Sequence, residues 1–166
     1  MAIRRRAWLA GVAALAVARP ARAGEPGLYR RGNDADPETL DPHRSSTVAE
    51  AHILRDLFDG LLTYDNHGAI IPGAARSWTV SDDGLTFRFD LRPDGRWSNG
   101  EPVTADDFVY AFRRILAPAT AAKYAEILFP VRGAAAVNRG EAAGDALGVA
   151  AEGPLRLRID LEQPTP

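Results

Sequence analysis

Asp41 and His43 are the first residues whose types and spacing suggest chemistry. A carboxylate two positions from an imidazole could support a hydrolase or supply two ligands to a metal ion. A metal site needs three or four converging ligands, and neither His52 nor His67 stands at a spacing that links it to them. No Gly-x-Ser-x-Gly nucleophile elbow occurs either. The sequence therefore predicts no catalytic residue, metal or cofactor and assigns both side chains to turn structure, with an exported hydrolase as the weaker alternative.

The composition is that of a globular protein, with 46% apolar and 25% charged residues in a chain of 166. The absence of cysteine excludes disulfides, thiol nucleophiles and thiolate metal sites. A formal net charge of −2 argues against a nucleic-acid-binding protein, which usually carries a basic face. The length favours one domain.

Residues 1–23 have the pattern of an export signal and hold no acidic residue. Arg4–Arg6 form a basic start, Ala7–Ala18 is apolar but too short to span a bilayer, and small residues then allow cleavage after Ala23. Arg5–Leu9 also resembles the twin-arginine export pattern. The prediction is a periplasmic protein whose signal peptide is removed. An uncleaved N-terminal anchor or a buried helix is the alternative.

The remainder of the chain has the periodicities of a mixed fold. Strict alternation of apolar and polar residues predicts two strands, Leu85–Arg92 and Leu155–Leu161, with one buried face each. The fold class is therefore α/β, in the sense of a mixed α+β lobe. The other expected elements are a strand at Leu28–Arg31 and helices at Val48–Leu62, from Thr104 to Pro118 and at Ala134–Val137.

Several of these segments carry motifs that follow one another in a fixed order. The motifs are Asp41-Pro42-His43, the run Leu57–Leu61, the run Pro72–Trp78 and the run Arg96–Phe108 around Trp-Ser-Asn-Gly. In this order they resemble the N-terminal part of the extracytoplasmic oligopeptide- and dipeptide-binding proteins of ABC importers, solute-binding family 5. The resemblance covers about residues 27–166.

The resemblance implies a two-lobed periplasmic-binding-protein type II fold, of which residues 24–166 are the N-terminal portion. Members of the family are much longer, so a fragment or a truncated gene is expected. The implied function is the periplasmic substrate-binding component of an ABC importer that captures peptides. Its implied partners are the peptide ligand and the membrane permease subunits; a monomer is expected, with no nucleic acid and no membrane insertion after cleavage. The alternatives are a non-binding remnant and a receptor for a nickel chelate, an opine or a sugar.

The resemblance also implies positions at the ligand cleft. In the family these are the segment just after Asp-Pro-His and a tyrosine shortly after the Asp-Phe helix, which correspond here to Ser46, Thr47, Val48 and Tyr124. Ser46 stands where some peptide receptors have an acid that could hold the amino terminus of a peptide. The alternative is structural: Ser46 or Thr47 caps a helix, and Tyr124 is a half-buried helix residue.

Overall fold

The structure is a computed structural model and describes residues 31–165. The predicted signal peptide, with its cleavage after Ala23, and most of the predicted strand Leu28–Arg31 lie outside the described residues. The described helices and strands are α1 Val48–Leu57, β1 Leu62–Tyr64, β2 Ile70–Pro72, β3 Ala75–Val80, β4 Thr86–Leu91, α2 Ala105–Leu116, α3 Ala134–Asn138, β5 Val149–Ala151 and β6 Arg156–Asp160. Short 3₁₀ turns cover Pro118–Thr120, Ala125–Leu128 and Gly144–Ala146.

The two alternating segments form the centre of a four-stranded antiparallel sheet of order β3-β4-β6-β5. They pair with each other, so that Phe87 lies opposite Ile159 and Phe89 opposite Leu157. Because side chains alternate between the two faces of a sheet, these four residues share one face, where Phe89, Leu157 and Ile159 are buried. Both predicted strands are confirmed, and their apolar faces build the core.

Helix α2 covers this face with Val109 and Leu116, which belong to the same buried cluster. Its start is the one the sequence predicts: the Asp107 carboxylate accepts from the backbone amide of Thr104 at 2.7 Å and from its hydroxyl at 3.0 Å. A carboxylate in the first turn accepts from a backbone amide that has no partner within the helix. Its negative charge also interacts favourably with the positive end of the helix dipole. Helix α3 also confirms its predicted position.

Helix α1 ends at Leu57, five residues earlier than the sequence pattern predicts. Phe58 is already extended, and the backbone carbonyls of the next residues bond to another segment instead of continuing the helix. Gly60 O accepts from Ala74 N at 2.8 Å, and Leu61 O accepts from Gly73 N at 3.1 Å. The prediction Val48–Leu62 was thus wrong at its end, because Leu61 packs against the sheet core through this backbone pairing rather than along the helix.

In the described part of the chain, no helix has the length and apolar character needed to cross a membrane.

Candidate functional site

The loop that precedes α1 is organised by one carboxylate, that of Glu50. Its Oε1 accepts from the backbone amides of Glu38 and Thr39, each at 3.2 Å. Its Oε2 accepts from the amides of Ser46 at 2.7 Å and Thr47 at 3.0 Å. Thr47 caps α1 in return, since its hydroxyl accepts from Glu50 N at 3.2 Å. Residues 38–47 are therefore held by a side chain only 1% exposed.

These hydrogen bonds keep Glu50 ionised. The backbone amides of Ser46 and Thr47 favour the charged form and lower the pKa of Glu50 from 4.5 to about 2, against the opposing effect of burial. A carboxylate that accepts several amides is a strong acceptor, so the loop conformation depends on this charge.

A second anchor fixes the middle of the same loop to α2. The Arg114 guanidinium donates to Asp41 through both arms, Nη1 to Oδ1 at 2.8 Å and Nη2 to Oδ2 at 2.5 Å. Asp41 Oδ1 also accepts from the backbone amide of His43 at 3.0 Å. The fork to Arg114 is the main reason why the pKa of Asp41 lies far below its usual range. Two parallel bonds restrict orientation as well as distance, so this pair sets where the loop lies on α2.

His43 is turned towards the same guanidinium. Its Nδ1 lies 2.8 Å from Arg114 Nη1, and because an arginine can only donate, this nitrogen accepts. Burial and the neighbouring positive charge both lower the pKa of His43. Asp41 is bound to Arg114 and to a backbone amide, so its carboxylate does not orient the His43 ring as a hydrolase pair would require. Asp41 has the turn role that the sequence favours, through the amide of His43, whereas the His43 ring accepts from Arg114 of α2.

Replacing Arg114 by methionine is expected to raise the pKa of Asp41 towards its ordinary value, because the variant loses the bidentate donor. The lowered pKa stabilises the folded chain above the unfolded value of 3.8, and this contribution disappears as the pH falls. An NMR titration of the Asp41 carboxyl carbon measures the change. Arg113→Met is the matched control, since it removes an exposed charge one residue away. Equal Asp41 titrations in both variants would contradict the assignment.

The structure brings together two of the four predicted site residues, Ser46 and Tyr124. The Tyr124 hydroxyl lies 3.4 Å from Ser46 O, and Lys123 Nζ donates to Ser46 Oγ at 2.8 Å. We call Ser46, Lys123 and Tyr124 the Ser46 corner. Tyr124 is 52% exposed and not a half-buried helix residue, since it precedes the turn Ala125–Leu128. Its ring and hydroxyl are therefore accessible to a ligand.

The other two predicted site residues, Thr47 and Val48, lie at the start of helix α1. The Thr47 side chain is occupied as the cap of α1, which matches the structural alternative. Val48 opens the helix, and its side chain is 67% exposed two residues beyond Ser46. Sequence reasoning did not find Lys123, Arg114 or Glu50. Only Glu50 has a local signal, the Thr-x-x-Glu spacing of a capping box.

The Ser46 corner offers hydroxyl groups, one ammonium group and the exposed side chain of Tyr124. No group of three or more His, Cys, Asp or Glu residues between residues 31 and 165 is placed to hold a metal ion. A separate hollow of about 270 Å³ lies beside β4 and β6, but its lining is apolar apart from Thr165, so it has little to orient a polar ligand.

Comparison with known proteins shows which family the chain resembles. Residues 69–166 match the family described as bacterial extracellular solute-binding proteins, family 5 Middle. The periplasmic oligopeptide-binding protein of Escherichia coli is 40% identical over 164 residues, which are 96% of this chain and 30% of that protein. The probable deoxycholate-binding periplasmic protein of the same organism is 39% identical over 141 residues, 84% of this chain and 26% of the relative.

A solved structure of a related protein has a fold similar to that of this chain. The oligopeptide-binding protein of Haemophilus influenzae, in complex with the peptide RPPGFSPFR, matches with a TM-score of 0.77 and 42% identity. The match covers 80% of this chain and 26% of that one. The chain thus spans about a quarter of the length of this structure. The mixed α+β lobe corresponds to an incomplete part of a larger binding-protein fold, as predicted.

Proposed function

The chain belongs to the bacterial extracellular solute-binding proteins, family 5, and from this premise we propose that it is part of a receptor that captures peptides for an ABC importer. The proposed location is the periplasm, after removal of residues 1–23. The proposed partners are a peptide and the membrane permease subunits, and the proposed working state is a monomer. Family 5 is a solute-binding family, and we propose no enzymatic activity.

The single observation that carries this proposal is the Ser46 corner. A peptide needs partners for its backbone amides and carbonyls and a surface for its side chains. Ser46 and Tyr124 supply hydroxyl groups, and the exposed ring of Tyr124 supplies an apolar face. Glu50 and Arg114 hold the loop that bears Ser46 in place before any ligand arrives, which lowers the entropy lost on binding.

We propose Ser46, Thr47, Val48 and Tyr124 as ligand-facing positions with different roles. Tyr124 stacks on the ligand and offers its hydroxyl, and Ser46 donates or accepts a hydrogen bond. Val48 adds an exposed apolar contact. Thr47 acts through its position at the start of α1, because its side chain already accepts from Glu50 N.

A non-peptide solute is the second candidate. The specific observation in its favour is the Escherichia coli relative named for deoxycholate, whose similarity extends over 84% of this chain. The steroid body of such a ligand would contact the Tyr124 ring and the exposed Val48 side chain.

Calorimetric titration with trialanine and with deoxycholate tests the proposal. We expect trialanine to bind and Tyr124→Ala to weaken its binding by roughly threefold to tenfold, the range for loss of one aromatic contact. Tyr64→Ala is the control, since Tyr64 is 71% exposed and lies on β1 rather than in the Ser46 corner. Binding of deoxycholate alone would favour the second candidate. Binding of neither ligand would favour a non-binding remnant.

A further inference from the structure

Lys123 is the only lysine of the chain, and it lies in the Ser46 corner. Lys123 is exposed, and its Nζ donates a hydrogen bond of 2.8 Å to Ser46 Oγ. Within residues 31–165 no carboxylate lies within ion-pair distance of this ammonium group. Among the residues that the structure describes, the Lys123 ammonium group at the edge of the proposed binding site therefore has no ion-pair partner.

The carboxylate of Glu50, which lies beside Ser46, is not available to bind a ligand directly. Glu50 is buried, and both of its oxygens already accept backbone amides, including Ser46 N at 2.7 Å. Its charge is satisfied from within the loop, and its carboxylate is closed to solvent. What the corner presents outwards is Lys123, the Ser46 hydroxyl and the Tyr124 hydroxyl.

The hydrogen bond between Lys123 and Ser46 also determines which way the hydroxyl can act. Lys123 Nζ has only hydrogens to give, so Ser46 Oγ accepts from it. The hydroxyl hydrogen of Ser46 is then free to donate to a ligand. The Tyr124 hydroxyl makes only a long contact of 3.4 Å with Ser46 O, so it can turn to a better acceptor. All three groups can donate, and Lys123 and Tyr124 both contact Ser46.

We propose that Lys123 is a specificity-determining residue that makes the Ser46 corner select a ligand whose nearby end carries a carboxylate. This inference rests on the proposed function and names the ligand chemistry of the same site. A carboxylate at the corner accepts from Lys123, Ser46 and Tyr124 together, and charge-assisted bonds of this kind are the stronger ones. An ammonium group on the ligand would meet the like charge of Lys123 there, which disfavours it.

Three peptides that differ only at one end test the proposal on the full 166-residue chain. They are trialanine amides whose amino end carries a butanedioyl, a butanoyl or a 4-aminobutanoyl group, so that the end is anionic, neutral or cationic at nearly constant length. Amidation removes the charge at the other end. Because Lys123 is the only lysine, selective isotope labelling of lysine gives one side-chain NMR signal, and labelling of tyrosine reports on Tyr124.

We expect the anionic peptide to bind roughly tenfold tighter than the cationic one, with the neutral peptide between them. The anionic peptide should also shift the Lys123 signal most. Lys123→Met should abolish the preference, Lys123→Glu should reverse it, and Lys123→Arg should preserve it. Arg96→Met is the control, since it removes an exposed positive charge outside the corner.

The outcomes separate this inference from the proposed function. Equal binding of the three peptides with a Tyr124 shift, or a preference that survives in Lys123→Met, overturns the role of Lys123 and leaves peptide binding intact. Absence of any shift at Tyr124 with all three peptides overturns the proposed function and the inference with it. Lys123 is exposed, so its variants are expected to fold, and their unfolding temperatures verify this.

Discussion

Replacing Glu50 by glutamine is expected to release the loop 38–47 and to lower the unfolding temperature by roughly 5–10 °C at pH 7. The carboxylate accepts four backbone amides, two on each oxygen. An amide side chain has one oxygen and one NH₂ group, so the NH₂ group would face two amides that also donate. Those amides would then lose their acceptor in a partly buried place, which destabilises the loop. Because Ser46 is one of them, ligand binding at the Ser46 corner should fall as well.

The pH dependence gives this prediction a second, independent measurement. The pKa of Glu50 is about 2 in the folded chain and 4.5 as a reference value. A lowered folded pKa contributes stability that is fully present above pH 4.5 and is lost as the pH falls towards 2. The Glu50→Gln variant should lack this pH-dependent stabilisation. The difference in stability between wild type and variant should therefore shrink as the pH falls from 4.5 towards 2. Asp160, whose pKa is also lowered, lies outside this loop, so its contribution remains in both proteins and cancels in the comparison.

Circular dichroism melting curves at several pH values measure both effects. Glu126→Gln is the matched control. Glu126 is exposed, and its carboxylate makes no hydrogen bond or ion pair within residues 31–165. An unfolding temperature that is the same in wild type and Glu50→Gln at pH 7 would contradict the proposed role of the carboxylate.

Replacing Gly73 by alanine is expected to destabilise the chain by about 2–3 kcal/mol, because two backbone segments cross there. A Cβ atom at position 73 would lie 2.5 Å from Gly60 O and 3.2 Å from Leu61 O. Neither oxygen can move easily, since Gly60 O accepts from Ala74 N and Leu61 O from Gly73 N. The contact also joins the segment after α1 to the segment that leads into β3, so the strain would act on both segments.

Urea unfolding measures this change through the midpoint at constant slope. Gly32→Ala is the control, because a Cβ atom there meets nothing within 4 Å. If Gly73→Ala and the control have the same urea midpoint, the two backbone segments can move apart to admit the Cβ atom without loss of stability. That result would contradict the prediction.

The elements that the sequence predicts well are those with a long periodic pattern or a complete cap. Strands β4 and β6 show strict alternation, and α2 has an apolar stripe with Asp107 placed to cap it. The strands β1, β2 and β5 are three residues long, and so short a segment contains no period to read. The end of α1 was misplaced because Leu61 fits the helical spacing although its backbone bonds to Gly73.

The candidate site was predictable only in part, for a different physical reason. Its decisive contacts join residues far apart in the chain: Arg114 and Asp41 are separated by 73 positions, and Tyr124 and Ser46 by 78. No local spacing encodes such a contact, and an arginine near the end of α2 is typical of a residue that complements the helix dipole. Ser46 and Tyr124 came from resemblance to a family, and their contact with a ligand stays a prediction.

The order β3-β4-β6-β5 also has a consequence for how the chain acquires its fold. Strands β3 and β4 are adjacent in sequence and can pair as soon as both are synthesised, whereas the other edge of β4 pairs with β6, as between Thr86 and Asp160, 74 residues apart. Until β6 has emerged, β4 has an unpaired backbone edge and an incompletely covered apolar face. An open edge of this kind can pair with a second nascent chain. The interval before β6 appears is therefore when the chain is most exposed to misassembly and most in need of a chaperone.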